Sequence, residues 1–330
     1  MLETWDTLHN FYPLYNVGDA RIYVKRDDLI PFSFGGNKVR IAREICRDME
    51  EKGCDAVISY GSPTSNLNRA VADMAAAEGH RCVVIMKRED HGAHTAQEEQ
   101  CMCFNERLVR KSGAQVVDCT AKNVKETVER AAGELRQQGY RPYYVYGDSS
   151  GHGNEEVLMR AGAKISRDLW TLQREQKLGF DHIFLAVGTA VTVSGLAAGI
   201  SEHCEVEEIR QPLIHGISVA RPEEAVWETV RAHLASCGYD TRECLSLIRI
   251  YGDYLGGGYG GSKTGMDSGL PADFDKILEE CRIRYGLPLD RTYTGKAFAG
   301  MLSEIRRQQL TGNILFVHTG GLPLVFDELR

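Results

Sequence analysis

Lys38 stands at the end of a Gly35-Gly36-Asn37 turn that follows the charged run Lys25-Arg26-Asp27-Asp28-Leu29. A lysine amine becomes a nucleophile or base when burial or a neighbouring cation disfavours its ammonium form, and once neutral it condenses with an aldehyde to a Schiff base. Gly35 and Gly36 would let a planar group approach the backbone. The same residue types also suit a solvated lysine on an ordinary turn that caps a helix beginning near Lys38. Which of the two holds depends on what the rest of the chain brings to the lysine.

Two strand-to-helix turns are rich in groups that bind anions. Ser59-Tyr60-Gly61-Ser62-Pro63-Thr64-Ser65-Asn66-Leu67-Asn68-Arg69 leads into a helix over Ala70–Glu78. Its free backbone N–H groups and helix dipole suit a substrate carboxylate, with the Thr64 and Ser65 hydroxyls as further donors, although simple N-capping uses the same residues. Val187-Gly188-Thr189-Ala190-Val191-Thr192-Val193-Ser194-Gly195 opens a second helix after an apolar strand and reads as a nest for phosphate. It contains neither the Gly-Lys-Thr of a Walker loop nor a G-x-G-x-x-G fingerprint, so a phosphate monoester fits better than a nucleotide. With a lysine poised for an aldehyde, pyridoxal phosphate (PLP) becomes the leading cofactor. Three more small-residue turns beside aromatic or hydroxyl groups follow: Gly256-Gly257-Gly258-Tyr259-Gly260-Gly261, Thr292-Tyr293-Thr294-Gly295-Lys296-Ala297 and Phe316-Val317-His318-Thr319-Gly320-Gly321.

Short β-branched runs must position these turns. Strands are expected at Arg21–Lys25, Ala56–Ser59, Arg81–Met86, Gln115–Val117, Tyr143–Tyr146, His182–Val187, Leu213–Val219, Leu247–Tyr251 and Ile314–Val317, with amphipathic helical stretches between them. Alternating β-α units predict parallel sheets with helices on both faces, and ligands beyond the carboxyl ends of the strands. The units between Glu51 and Ser149 suffice for a small sheet of their own.

The 330 residues fit two domains, and 43% hydrophobic with 26% charged residues is ordinary globular composition. A net charge of -7 leaves no basic footprint for nucleic acid, and no apolar run is long enough to span a bilayer. Met1-Leu2-Glu3-Thr4-Trp5-Asp6 lacks the basic and apolar layout of a signal peptide, so the cytoplasm is expected and the ten cysteines read as reduced thiols. His91-x-x-His94 with Cys101-x-Cys103 has spacing too short for a common zinc site, and no metal is expected.

Taken in order, Lys-Arg-Asp-Asp-Leu, Gly-Gly-Asn-Lys, Ser-Asn, Tyr-Thr-Gly-Lys and His-Thr-Gly-Gly resemble the PLP-dependent family of 1-aminocyclopropane-1-carboxylate deaminase and D-cysteine desulfhydrase. The resemblance implies the tryptophan-synthase-like fold (fold type II), an α/β fold with two open twisted mostly parallel sheets flanked by helices. It also implies a larger PLP domain from residues 1–50 and 150–330, a smaller inserted domain over 51–149, an active site between them, and a homodimer. By the same resemblance Lys38 carries the cofactor as a Schiff base and acts as base, Asn66 meets the cofactor's phenolic oxygen, and Ser65 contacts substrate with Thr64, Asn66 and Leu67 beside it. Gly188, Thr189, Ala190, Val191 and Thr192 fall on the phosphate loop, and Tyr259 and Tyr293 match the two active-site tyrosines.

Ring-opening deaminases of this family carry a glutamate after the second tyrosine, where this chain has Thr294. A hydroxyl there, or from Thr319, leaves the pyridine nitrogen neutral and the cofactor a shallower electron sink. Elimination of a good β-leaving group needs less of that sink. The resemblance therefore implies a desulfhydrase-like lyase acting on a small amino acid, giving a 2-keto acid, ammonia and the leaving group. The alternatives are a cyclopropane-opening deaminase, a β-replacement or γ-chemistry synthase, and a PLP or amino-acid binder without turnover. The chain departs from the family at Thr64-Ser65-Asn66-Leu67, commonly Gln-Ser-Asn-His, at Val191, commonly glycine, and in the stiff Pro63.

Overall fold

The computed structural model describes residues 10–88, 102–204, 211–258 and 269–329. It opens with a hairpin of β1 (Phe11–Val17) and β2 (Ala20–Arg26), turned at Gly18, whose φ is +58°. Next come α1 (Asn37–Glu51), β3 (Ala56–Gly61), α2 (Asn66–Glu78), β4 (Arg81–Lys87), α3 (Phe104–Lys111), β5 (Gln115–Cys119), α4 (Val124–Gln137) and β6 (Pro142–Tyr144). The remainder is α5 (Glu155–Gln176), β7 (His182–Val187), α6 (Val191–Cys204), β8 (Leu213–Ser218), α7 (Glu223–Ser236), α8 (Thr241–Ser246), β9 (Ile248–Tyr251), α9 (Phe274–Tyr285), α10 (Thr294–Gln308), β10 (Gly312–His318) and α11 (Leu322–Glu328).

The strands form a six-stranded sheet, β1-β2-β10-β7-β8-β9, and a four-stranded sheet, β5-β4-β3-β6. Among the described strands every pairing is parallel except β1 with β2. Strand β1 was not expected, because Pro13 interrupts the run. It lies at a sheet edge with its register slipping between Pro13 and Tyr15, the placement a strand proline requires.

The chain divides into two compact units. One holds the residues up to Ile30, Phe34–Asn37 and Met159–Val325, with the six-stranded sheet; the other holds Pro31–Ser33, Lys38–Leu158 and the residues from Phe326 on, with the four-stranded sheet. The division drawn from sequence, after residues 50 and 149, is thus offset: most of α1, the start of α5 and the end of α11 pack with the small sheet.

In the larger unit α10 is buried along nearly its whole length, with Phe298 edge-on to Phe316 of β10 at 5.1 Å and Ile22, Phe184 and Ile217 in the same core. Lys296 is fully buried inside that packing. Its ammonium donates to the carbonyls of Val219, Leu255 and Gly258 at 3.0, 2.6 and 2.7 Å, so all three protons are used although burial lowers its pKa to about 8. Because β2, β10, β7 and β8 run parallel, with His318 opposite Arg26 and Val187 opposite Ser218, the turns after them leave from one edge of the sheet.

Candidate active site

The turn before Lys38 is built by backbone packed on backbone. Gly35 (φ +65°) and Gly36 (φ +95°) occupy conformations that favour glycine, and a Cβ on them would lie 1.9 Å from the Asp28 carbonyl oxygen and 2.8 Å from that of Thr319. The close packing of the protein's own backbone therefore requires both glycines. The Gly36 N–H donates to Asp27 O (2.8 Å) and the Asn37 N–H to Thr319 O (3.0 Å). The Asn37 side chain donates to Thr192 Oγ1 at 2.9 Å, which ties this turn to the phosphate-loop turn. The charged run is spent internally: Lys25 pairs with Asp27, and Arg26 grips Asp28 through Nε (2.8 Å) and Nη2 (2.7 Å). Lys38 itself is half-buried and its amine has no hydrogen-bond or ion-pair partner among the described residues. Burial without a counter-charge lowers its pKa to about 8.

Gly188, Thr189 and Ala190 form the turn into α6, with Ala190 held at φ +60°. The first N–H groups of the helix, from Val191 onward, have no intrahelical partner. Thr192 is buried and accepts from Asn37, Val191 is buried, and Thr189 is exposed. Ser194, one turn into the helix, is fully buried and its hydroxyl has no partner among the described residues. Sequence reasoning passed over Ser194, although it stood within the quoted turn.

Ser65 is the N-cap of α2: its Oγ accepts from the Asn68 N–H at 3.2 Å. Capping and substrate contact are compatible here, since the hydroxyl proton has no acceptor among the described residues. Thr64 is exposed and pairs with the Ser62 hydroxyl (3.0 Å), while its carbonyl accepts from Asn105 Nδ2 (2.8 Å). Asn66 Oδ1 accepts from Asn105 Nδ2 (3.1 Å) and from Arg69 Nη2 (3.5 Å). Leu67 is buried, so the residue that replaces the family's histidine turns into the fold. Arg69 and Asn105 were not singled out from sequence. The one signal was an arginine opening a helix of alanines and valine.

Thr294 and Thr319 differ in a way the sequence could not show. Thr294 is fully buried; its hydroxyl donates to Asp290 Oδ2 (2.6 Å) and accepts from the Asp290 N–H (3.0 Å). Asp290 Oδ1 in turn takes the N–H groups of Thr292 (3.0 Å) and Tyr293 (2.7 Å), and a Cβ on Gly321 would lie 2.3 Å from Oδ2. Burial raises the Asp290 pKa against the pull of these hydrogen bonds. Toward a ring nitrogen Thr294 thus has only a lone pair to offer. Thr319 is half-buried with a hydroxyl uncommitted among the described residues, and it alone of the two has a proton to give. Tyr293 is half-buried at the start of α10; Tyr259 lies outside the described residues, as do His91, His94 and Cys101. Among the described residues no group of three metal-binding side chains occurs, and no helix is long and apolar enough to cross a membrane.

The chain is similar to curated proteins and to solved structures. The D-cysteine desulfhydrases of Salmonella newport (strain SL254) and Salmonella typhi are each 31% identical over 311 residues, spanning 92% of this chain and 88% of theirs. Among solved structures, an ACC deaminase homologue matches with a TM-score of 0.72 and 25% identity over 96% of this chain and 90% of its own. O-ureido-L-serine synthase matches at 0.61 and 16% over 98% and 95%, which shows the fold alone. The pattern of the pyridoxal-phosphate dependent enzymes matches residues 7–320, and the chain belongs to that family.

Proposed function

We propose that the protein is a lyase that performs α,β-elimination on a small amino acid in the manner of a D-cysteine desulfhydrase, giving a 2-keto acid, ammonia and the β-leaving group. The observation that carries this reading is the Lys38 amine, half-buried, unpaired among the described residues and with its pKa lowered to about 8. The named activity of the relatives at 31% identity supports it.

The side chains present fit the cofactor. Taken unit by unit, the larger one has the N-terminal turn of α6 as a donor set for a phosphate and the Thr319 hydroxyl as a donor for a ring nitrogen, and the smaller one has Asn66 Nδ2 as a donor for a phenolic oxygen. When bound, the cofactor supplies an electron sink for charge left at the substrate's α-carbon. Lys38 then takes the α-proton, and its pKa of about 8 suits transfer in both directions near neutral pH. Ser65 donates its free proton to the substrate carboxylate at the start of α2, whose dipole adds to the attraction. Tyr259 or Tyr293 is the tyrosine to protonate the departing group. For D-cysteine the balance is one water consumed and one each of pyruvate, ammonia and hydrogen sulfide released.

Elimination is favoured over ring opening because Thr294 stands where the ring-opening enzymes have glutamate, with its proton already given to Asp290. We further place the protein in the cytoplasm as a homodimer; the eight described cysteines, all free thiols, suit a reducing compartment.

The test is pyruvate and sulfide release from D- and L-cysteine by the PLP-loaded protein, with Lys38→Ala alongside. Equal amounts of both products from D-cysteine, falling by about 10³-fold or more in the variant, are expected. A visible cofactor band without products would leave the binder or another substrate. Absence of any band after adding PLP would overturn the proposal.

A further inference from the structure

We infer that Asn105 and Arg69 are positioning residues that fix which way the Asn66 amide faces, so that its N–H₂ and not its oxygen is presented to the cofactor. The inference rests on the reading of Asn66 given above.

Amide orientation is set by hydrogen-bond partners, because the oxygen and nitrogen ends have nearly the same shape. Here the order of partners leaves one solution. Arg69 is 1% exposed, and a guanidinium can only donate. Its Nε meets Asn105 at 2.9 Å, so the end of Asn105 that faces it is the oxygen. The N–H₂ of Asn105 must then face the opposite way, where it meets the Thr64 carbonyl (2.8 Å) and Asn66 (3.1 Å). The end of Asn66 that faces Asn105 is therefore Oδ1, which also accepts the longer bond from Arg69 Nη2 (3.5 Å). Nδ2 of Asn66 is left with no acceptor among the described residues, on a side chain that is only half-buried.

Arg69 is itself held in place: Nη1 donates to the Ser33 hydroxyl (2.8 Å), which donates on to Asp73 Oδ2 (2.5 Å). Burial brings the Arg69 pKa down to about 10, which leaves it charged at neutral pH. A cation at the head of a chain of amide hydrogen bonds polarises each in turn, which makes Asn66 Nδ2–H a stronger donor than a lone asparagine. Asn105 also holds the backbone of Thr64, so the substrate loop and the Asn66 amide are set by one side chain.

The experiment is a double-mutant cycle of Asn66→Ala and Asn105→Asp, read by the pH at which the visible band of the bound cofactor titrates. A carboxylate at 105 still accepts from Arg69 but cannot donate to Asn66. A donor to the phenolic oxygen favours its charge, so losing it raises the titration pH, by about one unit for one charge-assisted hydrogen bond. Both single variants are expected to give that shift, and the double variant no more than either alone. Asn105→Ser serves if Asn105→Asp does not fold, judged by circular dichroism. An Asn105 variant that folds, binds PLP and titrates like wild type overturns the inference, and so does an additive double variant or an Asn66→Ala that does not shift. Failure of wild type to bind PLP at all would instead strike the reading of the site.

Discussion

Among the described residues Lys38 has no carboxylate to hold its proton, and this sets a pH dependence that can be measured on cofactor-free protein. Only the neutral amine captures an aldehyde, so the rate of PLP capture is expected to rise about tenfold per pH unit up to about 8 and then level off. A lysine at its ordinary value would keep gaining beyond pH 10. Thr294 carries a second prediction. Because it is fully buried against the Asp290 carboxyl, Thr294→Glu would bury a second acid beside one whose pKa is already raised. It is expected to cost about 3 kcal/mol or more in a urea unfolding titration, rather than convert the chain to ring-opening chemistry. Lys38, Asn66 and the turn into α6 were proposed as site residues from the sequence because their chemistry is local to a short motif. Arg69, Asn105 and Asp290 were not, because each acts through contacts made only on folding; Arg69 meets Asn105 from 36 positions away.

At the scale of elements, the phosphate turn depends on how α5 crosses α6. A Cβ on Gly195 would lie 2.1 Å from the Met159 carbonyl oxygen, and one on Gly162 would lie 2.6 Å from that of Thr192. Gly195→Ala must therefore push the helices apart, at a cost of about 1–3 kcal/mol, and it displaces the helix end that we propose receives the phosphate. A lower urea midpoint together with weaker PLP affinity is the expected result, and an unchanged affinity would show that the turn is set elsewhere. The nine expected strands all occur, since each is a short β-branched run between turn residues. The hairpin strand β1 was hidden by Pro13, and the domain boundaries were hidden because α1 starts on one unit and continues on the other, with no change in composition to mark it.

At the scale of the molecule, light scattering on the PLP-loaded protein is expected to give twice the mass of one chain, and a monomer mass would remove the homodimer from the proposal. The sheet order carries one more consequence. Strand β10, the last of the chain, lies between β2 and β7, and the turn ending at Asn37 hangs on the carbonyl of Thr319 and packs against Gly320. During synthesis the reactive lysine emerges early, yet the strand that anchors its turn is made tens of seconds later at ordinary ribosome speeds. A chain cut short of β10 lacks the Thr319 carbonyl on which the turn before Lys38 hangs, and is expected to leave that turn unanchored.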